Sequence, residues 1–234
     1  MELGRTQVTA GDGVAFDALL ATPDSGTGPG LVLFQEIFGV GPYIEAVAER
    51  LTGLGYVVLA PELFWRIEPN LVLPHDEGGL VKAMETAQQF DPEAGLADCD
   101  AALAHVRSLP EVTGGAGVIG FCFGGTLAFQ VAARSSPDAA VSYYGSGVPD
   151  SLALADRITC PLLLHFGGDD PYLPAEQVEA VRLALAGRAG VELHVHEGAR
   201  HAFDNHEAPA FHQPDAAATA WAQTTDFFRR TLPV

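Results

Sequence analysis

The sequence is poor in basic residues and in long apolar runs. Its 234 residues include 12 Lys and Arg against 30 Asp and Glu, for a formal net charge of −18. A surface with that excess of negative charge repels nucleic acid and anionic lipid, so we expect neither as a partner. No stretch approaches the roughly 18 consecutive apolar residues of a membrane span. The polar start, residues 1–12, also lacks the apolar segment of a signal peptide.

Cysteine is scarce as well. Cys99, Cys122 and Cys160 are spaced like neither a disulfide framework nor a zinc site, which favours a reducing compartment and a cytoplasmic location. No cluster of Cys, His and Asp has metal-ligand spacing, so we predict no metal site. Cys99 shares a helix face with Leu96 and Leu103, which predicts core packing. Cys160, at the start of a strand, is predicted to be structural.

What the chain does have is a regular alternation of strand and helix patterns. Its apolar fraction is 48%, and its length suits one domain spanning residues 1–234, expected to be a monomer. A hairpin pattern at residues 7–20 precedes continuous apolar runs separated by helical periodicities. These runs are residues 31–34, 56–60, 117–120, 139–144 and 162–166, followed by an alternating strand at 191–196. We predict the α/β class, with a mostly parallel, doubly wound sheet flanked by helices.

One short motif connects a predicted strand directly to a predicted helix. The pattern Gly120-x-Cys122-x-Gly124 is a nucleophile elbow with cysteine in the serine position. Such an elbow needs glycines on either side, because side chains there would collide with neighbouring backbone. The N-terminus of the following helix favours a thiolate, so Cys122 is the candidate nucleophile.

Two further strand ends carry the partners that such a nucleophile requires. Asp169 and Asp170 follow the strand at residues 162–166, and His201 follows the strand at 191–196. The chain order nucleophile, acid, histidine is that of α/β-hydrolases, whose sites lie at the carboxyl ends of the strands. His201 would accept and return the proton, and the acid would orient the imidazole.

Backbone N–H groups are expected to hold the oxyanion that forms during the reaction. Phe123, the residue after the nucleophile, supplies one of them. The second should come from the loop after residues 31–34, within Gln35-Glu36-Ile37.

Several stretches together resemble the dienelactone hydrolase family of α/β-hydrolases. They cover most of the chain from residue 31 onward and are Gln35-Glu36-Ile37-Phe38-Gly39, Ala60-Pro61-Glu62-Leu63, Gly120-Phe121-Cys122-Phe123-Gly124-Gly125, Tyr143-Tyr144-Gly145, Gly168-Asp169-Asp170-Pro171-Tyr172-Leu173-Pro174 and residues 198–203. The resemblance implies a cofactor-free hydrolase of small-molecule esters or lactones that works through a cysteinyl acyl-enzyme.

The resemblance also implies particular site residues. The triad would be Cys122, His201 and Asp170, because the family's acid is followed by three residues and then proline, here Pro174. Asp169 remains the alternative acid.

Two more roles follow from the same resemblance. The Ile37 N–H would be the second oxyanion donor. Glu36 would contact the cysteine in the resting enzyme and help to control its ionisation during substrate binding.

The sequence departs from the family at the expected substrate carboxylate clamp. Family members that act on carboxylate-bearing lactones share two arginines that bind the substrate carboxylate. At the corresponding positions this chain has Leu80 and Asn205. Neither residue can copy bidentate arginine recognition, which puts that substrate in doubt. Lys82 or Arg200 could substitute for the missing arginines, although neither sits in the matching position.

The remaining substrate contacts and histidines are assigned from their positions. Residues predicted to bind substrate are Phe38, Trp65, Tyr144, Arg200 and Phe203. For the other histidines we predict structural positions without a functional role. His75, His206 and His212 are expected in loops, His105 on a helix, His165 in a strand core, and His194 and His196 on the polar face of a strand.

Three other functions remain open at this point. One is a carboxylesterase with a neutral substrate. Another is a non-catalytic binding or regulatory protein on a hydrolase scaffold, which would keep the elbow as architecture. The third is a peroxide-sensing thiol protein that uses Cys122.

Overall fold

In a computed structural model, which describes residues 2–234, the chain forms eight strands, six α-helices and one 3-10 helix. In chain order they are β1 Glu2–Thr9, β2 Ala15–Thr22, β3 Gly28–Phe34, α1 Pro42–Gly53, β4 Val57–Pro61, α2 Glu77–Ala87, α3 Pro92–Ser108, β5 Val112–Phe121, α4 Phe123–Ser135, β6 Ala140–Tyr143, the 3-10 helix Pro149–Arg157, β7 Leu162–Gly167, α5 Ala175–Ala184, β8 Val191–His196 and α6 Pro214–Thr231.

The eight strands form one sheet in the order β1-β2-β4-β3-β5-β6-β7-β8. The pairs β1–β2 and β2–β4 are antiparallel, and every other neighbouring pair is parallel. The predicted mostly parallel α/β sheet is therefore confirmed, as is the hairpin at its N-terminal edge. The carboxyl ends of the parallel strands consequently meet along one edge, where the elbow and the loops after β3, β7 and β8 come together.

The central strands are buried on both faces. Every residue of β3, β4, β6 and β7 is buried, which explains their continuous apolar sequences. Helices α3, α4 and α5 cover one face, through residues such as Leu103, Leu127 and Val181. Helices α1 and α6 cover the other, through residues such as Val47 and Phe228. Within residues 2–234, no helix combines the length and apolarity needed to cross a membrane.

The thiols outside the elbow are structural, as predicted. Cys99 is fully buried on α3, and burial raises the pKa of its thiol well above the ordinary value. Cys160 is buried ahead of β7, where burial raises its pKa to about 11. Cys122 alone of the three is partly exposed.

The reading of β8 needs one correction. His196 was expected on a polar face, but it is buried, whereas Val195 is 41% exposed. The reason is that the histidine-bearing face of β8 packs against α6, and His196 also hydrogen-bonds to His165 on the neighbouring strand β7 across 3.1 Å.

Candidate active site

Cys122 stands at the sharp turn between β5 and α4. Its backbone has φ +55° and ψ −115°, a combination that residues with a side chain rarely adopt. Two backbone hydrogen bonds hold the turn, one from Cys122 N to the Tyr143 carbonyl at 3.0 Å and one from Thr126 N to the Cys122 carbonyl at 3.1 Å. Cys122 therefore sits at the N-terminus of α4, where backbone N–H groups and the helix dipole favour negative charge.

The glycines around Cys122 are required by close backbone approach. A Cβ on Gly120 would lie 2.0 Å from the Gly124 carbonyl oxygen, and one on Gly124 would lie 2.3 Å from the Phe34 carbonyl oxygen. No L side chain fits at either distance. The two glycines therefore allow the elbow to pack directly against the end of β3, and the loop after β3 lies beside the thiol.

His201 and Asp170 form a buried hydrogen-bonded pair. His201 Nδ1 lies 2.7 Å from Asp170 Oδ2, while the other oxygen of Asp170 accepts a bond from Tyr172 N at 2.8 Å. Asp169 is exposed, and its backbone N–H donates to the Ala199 carbonyl. Of the two candidate acids, it is Asp170 that lies against the histidine.

The electrostatics of His201 favour a protonated imidazole. Burial by itself lowers the pKa of His201, but the charge of the Cys122 thiolate and the hydrogen bonds with Asp170 and Cys122 outweigh it and raise the pKa well above its usual range. An imidazolium between a thiolate and a carboxylate is stabilised by both. The three side chains therefore form one coupled unit.

The loop that carries His201 is fixed by Gln213. The Gln213 side chain donates to the Gly198 carbonyl at 2.9 Å and accepts from Arg200 N at 2.6 Å. Its backbone N–H donates to the Phe203 carbonyl at 2.9 Å. These bonds span the whole loop between β8 and α6 and so set where the imidazole lies.

A chain of buried hydrogen bonds connects Asp204, in the same loop, to α1. Arg50 on α1 donates to Asp204 at 3.0 Å, and the Tyr43 hydroxyl donates to the same carboxylate oxygen at 2.9 Å. Because Tyr43 has only one hydroxyl proton, the Tyr144 hydroxyl at 3.1 Å must donate to Tyr43. Burial, with nearby carboxylates, raises the pKa of both phenols, so they stay protonated donors.

Glu36 lies buried in the loop after β3 beside the elbow. One of its oxygens accepts a 2.6 Å hydrogen bond from the Asn205 amide, and the other has no hydrogen-bond partner among residues 2–234. The same Asn205 amide also donates to His75 Nε2 at 3.0 Å. Since Asn205 Oδ1 accepts from Glu207 N, the amide orientation is fixed, and His75 must accept through a neutral nitrogen.

His75 is a site residue that the sequence reading missed. It was predicted to lie in a loop without a functional role, yet its ring lies 4.1 Å from the Phe38 ring and its Nε2 lies 3.7 Å from Glu36. Its position in the sequence gives no signal of a place in the site, because it lies outside every stretch that resembles the family. Nothing in the sequence pairs it with Asn205, which is 130 positions away.

A cavity of about 620 Å³ opens over Cys122. Its wall combines the elbow, the loops after β3, β6, β7 and β8, and one side of α2 together with the residues just before it. The lining residues are Glu36, Ile37, Phe38, His75, Asp76, Glu77, Leu80, Met84, Ala87, Cys122, Phe123, Thr126, Ser146, Gly147, Tyr172, His201, Ala202, Asn205, Ala208, Ala210 and Phe211.

Ile37 and Phe123, the predicted oxyanion donors, both line this cavity with Cys122. Neither backbone N–H is hydrogen-bonded to another of the described residues. Two free donors beside one thiol are what an oxyanion of a tetrahedral intermediate requires.

Of the five residues predicted to bind substrate, the structure places only Phe38 on the cavity wall. The Trp65 indole stacks on Phe16 and donates to Asp98 on α3. Tyr144 and Phe203 are fully buried beneath the site, where the Tyr144 ring lies 5.2 Å from His201.

Arg200, the fifth, is exposed and lies outside the cavity. These four positions differ from the prediction because closeness in sequence to a motif does not fix the direction of a side chain. No group of three or more His, Cys, Asp or Glu within residues 2–234 is arranged to hold a metal ion.

Comparisons with known proteins find similarity along nearly the whole chain. A model of the dienelactone hydrolase family matches residues 16–232. A carboxymethylenebutenolidase from Pseudomonas putida is 35% identical over 217 residues, covering 92% of this chain and 92% of its own. Another from Rhodococcus opacus is 31% identical, covering 92% of this chain and 86% of its own.

Solved structures show the same fold. A putative dienelactone hydrolase from Klebsiella pneumoniae superposes with a TM-score of 0.84 at 27% identity, covering 98% of this chain and 100% of its own. A dienelactone hydrolase-like promiscuous phosphotriesterase from metagenomic libraries gives 0.82 at 25% identity, covering 99% and 100%.

Proposed function

The chain belongs to the dienelactone hydrolase family of α/β-hydrolases, and we propose that it hydrolyses carboxylic esters or lactones through a triad of Cys122, His201 and Asp170. That it is a hydrolase of esters or lactones follows from the family; the triad is our inference from the site. The observation that carries it is the buried His201–Asp170 pair at 2.7 Å, coupled to the thiol at the elbow.

In the first half-reaction the Cys122 thiolate attacks the carbonyl carbon. A C–S bond forms, and the carbonyl oxygen becomes an oxyanion that accepts hydrogen bonds from Ile37 N–H and Phe123 N–H. When the intermediate collapses, the C–O bond to the leaving group breaks. The protonated His201 supplies the proton to the departing alkoxide, which leaves a cysteinyl thioester and a neutral imidazole.

In the second half-reaction water releases the acyl group. Neutral His201 removes a proton from water as the oxygen attacks the thioester carbonyl, and Asp170 stabilises the imidazolium that forms. The thiolate then departs with the C–S bonding electrons, which restores the thiolate–imidazolium pair and frees the acid.

Glu36 is assigned a controlling role at the resting thiol. Its buried carboxylate is bonded through one oxygen only. Before the Cys122 proton passes to His201, the other oxygen can accept a hydrogen bond from the thiol, so Glu36 would hold Cys122 protonated until substrate binds. Both residues line the same cavity.

Single substitutions test the triad against matched controls. We expect Cys122→Ala to lose about 1,000-fold or more of kcat/KM on p-nitrophenyl acetate, whereas Cys160→Ala, which changes a buried structural thiol, should keep its activity. Asp170→Asn should slow turnover strongly, while Asp169→Asn, one residue away and exposed, should not. Full esterase activity in Cys122→Ala would rule the mechanism out.

A carboxylate-bearing dienelactone, assayed in parallel, tests the substrate. Turnover of both substrates by the wild type, lost in Cys122→Ala, would indicate a dienelactone hydrolase that binds its carboxylate without the usual arginines. Turnover of the simple ester alone would indicate a neutral substrate.

A further inference from the structure

We propose that the cavity over Cys122 selects uncharged, largely apolar esters or lactones and rejects substrates that carry a carboxylate. The inference rests on the proposed hydrolase function, because it describes the substrate of that same site. It is carried by the side chains of the cavity wall and by the charges around them.

The wall is mostly apolar. One side of α2 contributes Leu80, Met84 and Ala87, and the loop that follows β8 contributes Ala208 and Phe211. At about 620 Å³ the cavity is within the range of pockets that enclose organic ligands, and it is larger than an acetyl ester needs. It therefore has room for an extended acyl chain or ring in apolar contact.

Apart from the Cys122–His201 pair, the charged groups on the wall are carboxylates. Glu36, Asp76 and Glu77 line the cavity, and none of the described lining residues is lysine or arginine. A substrate carboxylate entering this space would lose water without gaining a counter-charge, which is strongly unfavourable. It would also meet three like charges.

The two histidines on the wall do not supply a spare positive charge. His201 is balanced by Asp170 and by the Cys122 thiolate. His75 accepts a hydrogen bond from Asn205 through Nε2, so it is neutral in this arrangement, and it lies 3.7 Å from Glu36.

The basic residues nearest to the site are already paired or point elsewhere. Lys82, on α2, lies 3.3 Å from Glu68, and Arg50 is bonded to the buried Asp204. Arg200 is exposed and does not line the cavity. The discrimination against anionic substrates therefore comes from the cavity wall as a whole and not from a single residue.

A length-matched pair of esters tests the inference. p-Nitrophenyl valerate and mono-p-nitrophenyl glutarate share a leaving group and a chain length, but only the glutarate ends in a carboxylate. We expect the wild type to prefer the valerate in kcat/KM by about tenfold or more, as an unpaired charge in an apolar site requires. Equal rates, or a preference for the glutarate, would overturn the inference while leaving the triad intact.

Arginine substitutions on α2 locate the selectivity. Leu80→Arg places a cation on the cavity wall and should reduce the valerate preference about tenfold, the effect of one charged hydrogen bond. Leu80→Gln, with a neutral polar side chain, should reduce it less. Val81→Arg puts the same charge on the exposed side of the same helix, 56% accessible and off the wall, and should leave the ratio near the wild-type value.

If Leu80→Arg does not fold, Met84→Arg replaces it, because Met84 lines the cavity yet is 48% exposed. A folded arginine variant at either position with an unchanged ratio would also overturn the inference.

Binding of non-hydrolysed ligands separates this inference from the proposed function. Valeranilide and glutaranilic acid differ by the same carboxylate, and calorimetric titration of the wild-type protein should show the neutral anilide binding about tenfold or more tightly. If no ester is turned over, the proposed function fails, and the anilide pair still decides the substrate class. Equal or tighter binding of glutaranilic acid would reject that class.

Discussion

Cys122 combines an unusual backbone conformation with the position of the candidate nucleophile. At φ +55° and ψ −115° a Cβ atom crowds the neighbouring backbone, which costs on the order of 1–3 kcal/mol. The hydrogen bonds to Tyr143 and Thr126 on either side hold the residue in place against this cost. Strain at Cys122 is thus part of what brings the thiol to the cavity.

A comparison of two substitutions isolates that strain. Cys122→Ala and Cys122→Gly both remove the sulfur, but only the glycine variant also removes the Cβ atom. We expect Cys122→Gly to be more stable than Cys122→Ala by about 1 kcal/mol, raising its Tm by roughly 2–4 °C as measured by calorimetry. At an unstrained position glycine is the less stable of the two by about 0.5–1 kcal/mol, so the opposite order would show that the elbow is unstrained.

At the scale of elements, β7, β8 and α6 are joined by a buried polar network. His165 bonds through one ring nitrogen to His196 at 3.1 Å and through the other to Thr224 on α6 at 3.0 Å. Thr224 also bonds to the Tyr143 hydroxyl at 2.7 Å. Burial, with the neighbouring His196 and His194, lowers the pKa of His165 well below its ordinary value of 6.5.

This network should make stability depend on pH. The folded protein keeps His165 neutral, whereas the unfolded chain takes up a proton below about pH 6.5, so stability is present above that pH and is lost as the pH falls. For one such histidine the loss between about pH 7 and pH 5 is about 2 kcal/mol.

The variant His165→Gln tests the source of this dependence. It keeps hydrogen-bonding capacity without titrating, so we expect it to be less stable than the wild type near neutrality but to lose less stability on acidification. Urea unfolding at the two pH values measures both. Equal losses for the two proteins would assign the acid sensitivity to other groups.

For the whole molecule, the excess of negative charge dominates long-range behaviour. A net charge of −18 produces a repulsive potential for approaching anions. The screening length of this potential shortens from about 20–30 Å at roughly 10–20 mM salt to about 4 Å at roughly 0.5 M. This field acts before a substrate reaches the cavity wall.

Salt should therefore act differently on the two matched esters. Between about 20 mM and about 500 mM NaCl we expect kcat/KM for mono-p-nitrophenyl glutarate to rise about threefold or more, because screening removes the repulsion that slows its approach. The value for p-nitrophenyl valerate should change much less. A parallel change for both esters would show that the net charge does not influence substrate access.

What the sequence by itself determined were features that follow from local chemistry. Apolar runs predicted the buried strands, periodicity predicted the helices, and the paired glycines predicted the tight turn at Cys122. The strand ends also predicted that Cys122, His201 and either Asp169 or Asp170 would gather at one edge of the sheet, because parallel strands leave their carboxyl ends together. Their catalytic roles remain our proposal.

Only the tertiary structure decided which distant side chains share a surface. The bond from Asn205 to Glu36 and His75, the burial of His196 and the exclusion of Trp65 and Arg200 from the cavity depend on how loops fold back and on where helices pack. Sequence patterns report the period and polarity of neighbouring residues. They carry no information about the direction of a loop side chain, which is set by the partners that become available only when the whole chain is packed.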